Sequence, residues 1–145
     1  MAKRILVPID HPPCGALLDL VGDAARGADA VIRLLHVAPP PENLIGEDGH
    51  VMAYADQEGT RLTTEGRDLL GPIELHFGGV PVESVVRFGD PATEILREAD
   101  AFRADLIAMP ARATAAGRLL FGSVTEQVTR RASTAVALVQ PHPSP

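Results

Sequence analysis

Five short apolar runs, each separated from the next by a turn and a helical pattern, constrain this sequence more than any other feature. The runs are continuous rather than alternating, which is typical of strands buried on both faces of a parallel sheet. Pro8 interrupts the first run only near its carboxyl end, where ladder pairing can stop. The sequence therefore predicts a doubly wound α/β fold. The predicted strands are residues 4–9, 30–37, 80–88, 105–109 and 134–140.

Four helical patterns lie between these runs. Apolar residues on one face predict the first helix over 17–28, and small residues recurring in steps of three and four predict the second over 52–69. The third helix is sharply marked, with Asp90 as its N-cap and Pro91 at its first helical position. The fourth is predicted over 123–133. Each helix is thus placed to cross from one parallel strand to the next.

Length and composition indicate one globular domain over residues 1–145, with a disordered tail from about residue 141. The formal charge of -6, with 13 basic against 19 acidic residues, and only 3% aromatics argue against a nucleic-acid partner. No run approaches the roughly 18 apolar residues of a membrane span. The start MAKRILVPID lacks the pattern of an export signal, and Cys14 stands alone. We therefore expect a cytoplasmic protein with no membrane partner.

Three of the predicted strands have their carboxyl ends at positions where ligands bind in such folds. In doubly wound sheets the ligand crevice lies beyond the carboxyl ends of the strands, where the strand order reverses. Asp10, Val37 and the long segment after Met109 all fall at such ends. Ser123 and Glu126 have the spacing of a capping box, which predicts a helix N-terminus whose backbone amides can hold a phosphate. An ordinary capped helix without a ligand explains the same spacing.

Four segments in chain order carry a resemblance to a known family: ILVPID, LLHV, GDPATEIL and the stretch from DLIAMP to GSVTEQV. Together they resemble the universal stress protein family over essentially the whole chain. The resemblance implies an adenine-nucleotide alpha-hydrolase-like fold with a five-stranded parallel sheet of order 3-2-1-4-5. It also implies a stress-response protein that forms a homodimer through its last strand, here residues 135–139, and that acts on regulatory protein partners.

The resemblance extends only in part to the family's ATP-binding loop. Members that bind ATP carry G-x2-G-x9-G, followed by Ser or Thr, after the fourth strand. Here Pro110 and Ala113 stand at the first two glycine positions, and eight residues rather than nine separate Ala113 from Gly122. Proline has no amide to donate, and alanine resists a positive φ at a cost of about 1 kcal/mol. We therefore expect the phosphate loop to be degenerate and ATP binding to be weak or lost.

The resemblance assigns a role to each remaining position of the site. Asp10 matches the acidic residue beside the adenine, and Val37 and Met109 match apolar neighbours of the base. The matches at the phosphate end are Gly122, Ser123 and Val124. Arg112 and Arg118 are candidates for charge-assisted contacts to phosphate in place of the lost amides, with solvated loop arginines as the simpler interpretation.

These observations leave two functions open. One is a dimeric regulatory protein with weak or lost ATP binding, and the other is a switch that binds ATP, with Mg²⁺, or another adenine nucleotide. An adenine-nucleotide enzyme on a related fold ranks last, because the HxGH and SGGxDS motifs are absent from the sequence. We therefore expect no enzyme activity beyond weak ATP hydrolysis, and we assign no catalytic residue.

Two further sets of ionisable residues have simpler explanations. Asp10, His11 and His36 fall near predicted strand ends, but they lack tight metal-ligand spacing, so we predict no metal site. Two acidic pairs at helical spacing are predicted to face solvent rather than to act as acid and base. These pairs are Asp19 with Asp23 and Glu94 with Glu98.

Overall fold

A computed structural model describes residues 3–10, 13, 15–41, 44–45, 49, 51–110, 112–113, 119–120 and 122–139 of the chain. The elements follow the chain as β1 (Lys3–Pro8), α1 (Gly15–Gly27), β2 (Ala30–Ala38), β3 (Leu44–Ile45), β4 (Val51–Ala53), α2 (Ala55–Glu74), β5 (Val82–Phe88), α3 (Pro91–Phe102), β6 (Leu106–Pro110), β7 (Arg112–Ala113), β8 (Leu119–Leu120), α4 (Ser123–Arg131) and β9 (Ala135–Val139). The predicted tail from about residue 141 lies outside the described residues.

Five of these strands form one parallel sheet in the order β5-β2-β1-β6-β9. Counted along the chain, these five strands stand in the order 3-2-1-4-5, so the predicted fold class is confirmed. Each predicted strand agrees with its observed counterpart to within two residues at either end. The strand order reverses beside β1, which places the expected ligand crevice at the carboxyl tips of β1 and its neighbours.

Helices cover both faces of the sheet, and alternate strand residues supply the two cores. Leu34 packs with α1 and α2 in one buried cluster, whereas the next residue, Leu35, packs with α3 and α4 in the other. Leu6 and Val7 divide in the same way on β1, and all four side chains are at most 3% exposed. Burial on both faces explains why the sequence shows continuous apolar runs.

The second helix begins later than the sequence predicted. Met52 lies in β4, which pairs with β3, so its place in the predicted helical face is wrong. The helix begins after Tyr54, whose backbone amide donates to Gln57 Oε1 at 3.1 Å, and it continues past residue 69 to Glu74. The strands β3, β7 and β8 lie in segments predicted as loops, and β4 overlaps the start of the predicted helix, because two- and three-residue strands are too short to show a periodic pattern.

A glycine inside α2 sets how closely this helix approaches the sheet. A Cβ at Gly66 would lie 2.8 Å from Val86 Cγ2 and 3.2 Å from His36 Cδ2, on β5 and β2 respectively. Glycine therefore allows a helix-to-sheet contact that any larger residue would widen. Among the described helices, α2 included, none is both long and apolar enough to cross a membrane.

Candidate functional site

The carboxyl tips of three adjacent strands form one end of the candidate crevice. Pairing of β1 with β2 continues past Pro8, because the Ile9 amide donates to the carbonyl of Leu35 at 2.7 Å. Continuing this register places Asp10 level with Val37 on β2. The register between β1 and β6 likewise places Met109 level with Pro8. The sheet therefore brings the three predicted base-side positions together at one edge.

These positions combine an apolar floor with a solvent-exposed carboxylate. Met109 is 3% exposed, and half-buried Val37 packs in the same apolar cluster, beneath α3 and α4. Val124, in the first turn of α4, packs against this cluster as well. Asp10 is exposed where the chain leaves the sheet. Apolar walls with few polar groups are typical of small-molecule sites, so we call this region the base end.

The N-terminus of α4 is the predicted phosphate-binding part of the candidate site, which we call the phosphate end. The N-cap is Gly122, with φ -69° and ψ 171°, and it makes no side-chain cap hydrogen bond. The predicted capping box of Ser123 with Glu126 is therefore wrong, since the helix begins one residue earlier than that box requires. The Glu126 amide donates to the Gly122 carbonyl at 3.1 Å, and its carboxylate pairs with Arg130. No side chain of a capping box thus occupies the first amides of α4.

The backbone around the two replaced glycine positions is extended. Pro110 ends β6 in register with Val139 of β9, and Ala113 pairs with Leu119 in the antiparallel β7–β8 ladder. Such a ladder joins backbone amides and carbonyls across the pair. Ala113 therefore occupies ordinary strand backbone and needs no positive φ. The backbone of Arg112 lies in β7, but its predicted phosphate contact stays a prediction, and Arg118 lies outside the described residues.

The acidic pair of Glu94 and Glu98 on α3 lies in the protein interior. Glu94 and Glu98 are 6% and 3% exposed, so the prediction that they face solvent is wrong. Glu98 accepts from Arg33 Nη1 at 2.7 Å and from Arg87 Nη1 at 2.5 Å, and Glu94 accepts from Arg87 Nε at 2.9 Å. We call this group the α3 ion cluster. Its members are Arg33, Glu83, Arg87, Glu94, Arg97 and Glu98.

The α3 ion cluster fastens α3 to the edge of the sheet. It joins β2, β5 and α3 with three cations and three anions, and the Arg33 guanidinium also lies 4.1 Å from the ring centroid of Phe102. Hydrogen bonding to Glu98 contributes most to raising the pKa of Arg87 above its usual value. Removing one partner of a buried ion pair is strongly destabilising, so we assign Glu94 and Glu98 a structural role. The sequence signal for this cluster is the presence of Arg33 and Arg87 inside apolar strands, because a buried charge needs a partner of opposite charge.

The remaining ionisable candidates either lie at the surface or fall outside the residues that the structure describes. Asp19 and Asp23 are exposed, as predicted, and pair with His76 and Arg26 respectively. Within the described residues, no three His, Cys, Asp or Glu side chains are grouped to hold a metal. His11 lies outside those residues, so the metal hypothesis at Asp10 is not tested.

A parallel sheet of this order, covered by helices on both faces, defines a doubly wound α/β domain. The family model of the universal stress protein family matches residues 1–140, and the chain belongs to that family. A universal stress protein of Methanothermobacter thermautotrophicus is 27% identical over 145 residues, covering 97% of each chain.

Solved structures agree with this assignment of the fold. A universal stress protein family member from Burkholderia pseudomallei has a TM-score of 0.69 at 23% identity, covering 97% of this chain and 96% of its own. The universal stress protein of Archaeoglobus fulgidus in complex with dAMP has a TM-score of 0.61 at 19% identity, covering 94% and 97%. At these identities the likeness concerns the fold alone.

Proposed function

We propose that this chain is a regulatory universal stress protein whose crevice keeps the base end of an adenine-nucleotide site but binds the triphosphate of ATP weakly or not at all. One observation carries the proposal: Ala113, at a position where ATP-binding relatives have glycine, is paired with Leu119 in extended backbone. A phosphate loop instead turns its backbone amides toward the ligand. Ala113, paired in a β-ladder, does not have that arrangement.

The base end supports adenine as the recognised group. An exposed carboxylate at Asp10 beside the apolar surface of Val37 and Met109 suits a flat heteroaromatic ring with exocyclic donors. The Archaeoglobus fulgidus relative is described in complex with dAMP, an adenine nucleotide with a single phosphate. A ligand of that size needs the base end and at most one phosphate contact.

A second candidate is the nucleotide-dependent switch that binds ATP with Mg²⁺. The N-terminus of α4 favours it, because Gly122 makes no side-chain cap hydrogen bond and helix N-terminal amides attract anions. One helix N-terminus can hold one phosphate group, whereas Pro110 has no amide with which to extend the contact. We therefore rank weak or lost ATP binding first.

The proposed working form is a homodimer through β9 that signals to regulatory protein partners in the cytoplasm. Every residue of β9 from Ala135 to Val139 is apolar, and this strand lies at an edge of the sheet. An exposed apolar edge strand offers unpaired backbone groups to a second copy. Sedimentation velocity of the intact chain should give the mass of two copies, and a single copy at micromolar concentration would contradict this part of the proposal.

Calorimetric titration with adenosine, AMP and ATP with Mg²⁺ tests the proposed ligand. We expect all three to bind with dissociation constants within about tenfold of one another, which is about 1.4 kcal/mol. The matched variant Asp10→Ala should weaken all three alike, because it acts on the shared base. ATP binding more than a hundredfold tighter than adenosine binding would favour the nucleotide-dependent switch. If none of the three ligands binds, the proposed adenine recognition at the base end is wrong. Turnover of ATP would contradict the expectation of a non-enzymatic role.

A further inference from the structure

A hydrogen bond from β2 holds the carbonyl of the residue that precedes Asp10. His36 Nδ1 lies 2.9 Å from the Ile9 carbonyl oxygen. A carbonyl oxygen only accepts, so the imidazole carries its proton on Nδ1 and donates it to Ile9. Ile9 is 5% exposed, and a buried carbonyl without a hydrogen-bond partner would destabilise the fold. The His36 side chain therefore supplies the hydrogen-bond partner of the buried carbonyl that directly follows β1.

This contact lies where the sheet pairing of β1 ends. The Ile9 amide donates to the Leu35 carbonyl at 2.7 Å, and the Ile9 carbonyl accepts from the His36 ring, so neighbouring residues of β2 hold both polar groups of Ile9. Asp10 follows at once and is exposed. Two hydrogen bonds to a single strand therefore hold the residue immediately before Asp10.

The imidazole is itself held in place by α2. Gly66 is buried, and a Cβ there would come within 3.2 Å of His36 Cδ2, so the helix backbone lies directly against the ring. A ring packed in this way cannot rotate freely away from its acceptor. The contact therefore links α2, on one face of the sheet, to the tip of β1, where the crevice begins.

We propose that His36 is a positioning residue for the base end: its Nδ1–H fixes the Ile9 carbonyl and thereby the placement of the Asp10 carboxylate. The inference deepens the proposed function, since the role of Asp10 in adenine binding rests on it. His36 itself lies on the α2 side of the sheet and is not proposed to touch the ligand.

Two substitutions separate the hydrogen bond from the packing. His36→Asn keeps a side-chain N–H close to the position of Nδ1, and His36→Leu keeps apolar volume but no donor. Amide hydrogen exchange of the ligand-free protein is the first measurement. In His36→Leu the Ile9 amide should exchange at least tenfold faster relative to the Leu34 amide of the core, and in His36→Asn it should stay near the wild-type ratio. Equal acceleration of both amides in His36→Leu would overturn the proposal, because it would show only a general loss of stability.

Adenosine titration is the second measurement. We expect His36→Leu to raise the dissociation constant of adenosine at least fivefold and His36→Asn to restore most of the affinity. Unchanged affinity in His36→Leu would overturn the role in the site. If wild-type protein does not bind adenosine, the proposed function fails, while the exchange measurement still decides whether His36 holds the tip of β1.

Discussion

Two strand-to-helix connections at the same edge of the sheet are built in opposite ways. Only Gly89 and Asp90 separate β5 from α3, whereas twelve residues, 111–122, separate β6 from α4. The short connection is fixed by a side-chain cap, because Asp90 accepts from the Thr93 amide at 3.0 Å, and by a glycine at φ +139°. The long one contains the β7–β8 ladder and reaches α4 at Gly122, which makes no side-chain cap hydrogen bond.

Under the proposed function, this difference separates a connection that holds the fold from a connection that sets ligand preference. The short connection leads into the α3 ion cluster, and each of its polar groups has a partner within the protein. The long connection reaches α4 at Gly122, a residue with no side chain to cap the helix. Changes in the first should alter stability without altering ligand preference, and changes in the second should do the reverse.

The largest loss of stability is expected from Glu98→Ala. This substitution leaves the guanidinium groups of Arg33 and Arg87 facing each other without their shared carboxylate. We expect a loss of about 2–3 kcal/mol in the free energy of unfolding, below that of a fully buried pair because both arginines keep some water contact. Urea unfolding measures it. Glu126→Ala, which removes an exposed carboxylate from α4, is the control, and equal losses in the two variants would contradict a structural α3 ion cluster.

A somewhat smaller loss is expected from Gly89→Ala. An added Cβ would lie 3.0 Å from Glu94 Oε1, which Arg97 also holds, and the residue would keep a φ of +139° that alanine rarely adopts. The expected cost is on the order of 1–3 kcal/mol. Gly78→Ala serves as the matched control, since nothing lies within 4 Å of a Cβ there. A Gly89→Ala protein as stable as the control would refute this account of the short connection.

Removal of the α3 cap should lower the melting temperature by a few degrees. Asp90→Ala deletes the acceptor of the Thr93 amide, and Asp90→Ser should recover most of the loss. Hydrogen bonds from the Thr93 amide and hydroxyl lower the pKa of Asp90. Its contribution is therefore present above the ordinary carboxyl pKa and is lost as the pH falls through the lowered value. The wild-type advantage over Asp90→Ala should shrink in melts at successively lower pH below the ordinary carboxyl range, and an advantage independent of pH would argue against the cap.

The smallest effect is expected at the matching position of the long connection. Ser123→Ala should change the free energy of unfolding by no more than about 0.5 kcal/mol, because Ser123 is exposed and does not cap α4. Thermal melts of Ser123→Ala and Asp90→Ala side by side provide the comparison. A loss of stability in Ser123→Ala as large as that in Asp90→Ala would show that Ser123, rather than Gly122, caps α4.

The sequence predicts those features whose physical cause is local. Continuous apolar runs show strands buried on both faces, and Asp90 with Pro91 marks a helix start, because cap and first-turn preferences act within a few residues. Helical spacing alone predicts that Glu94 faces solvent, whereas its partner Arg87 comes from a strand and the burial of Glu94 depends on the packing of α3. Helical spacing describes one element and cannot show which neighbours surround it.

The same limit applies to the candidate site. Asp10 and Met109 could be assigned to one edge because parallel strands share their carboxyl ends. The sequence could not predict that α4 begins after Gly122 or that Ala113 pairs with Leu119. Both features depend on the path of a segment with no periodic pattern. Nor does a sequence show that His36 donates to Ile9, because that contact crosses between strands.

The most direct test restores the glycines of the long connection. A variant with Pro110→Gly, Ala113→Gly and one glycine inserted between residues 113 and 122 regains the spacing of ATP-binding relatives, and its affinity for ATP with Mg²⁺ is compared with that of the wild type by calorimetry. The account predicts at least tenfold tighter ATP binding with adenosine affinity unchanged. A folded variant that binds ATP no more tightly than the wild type would contradict it.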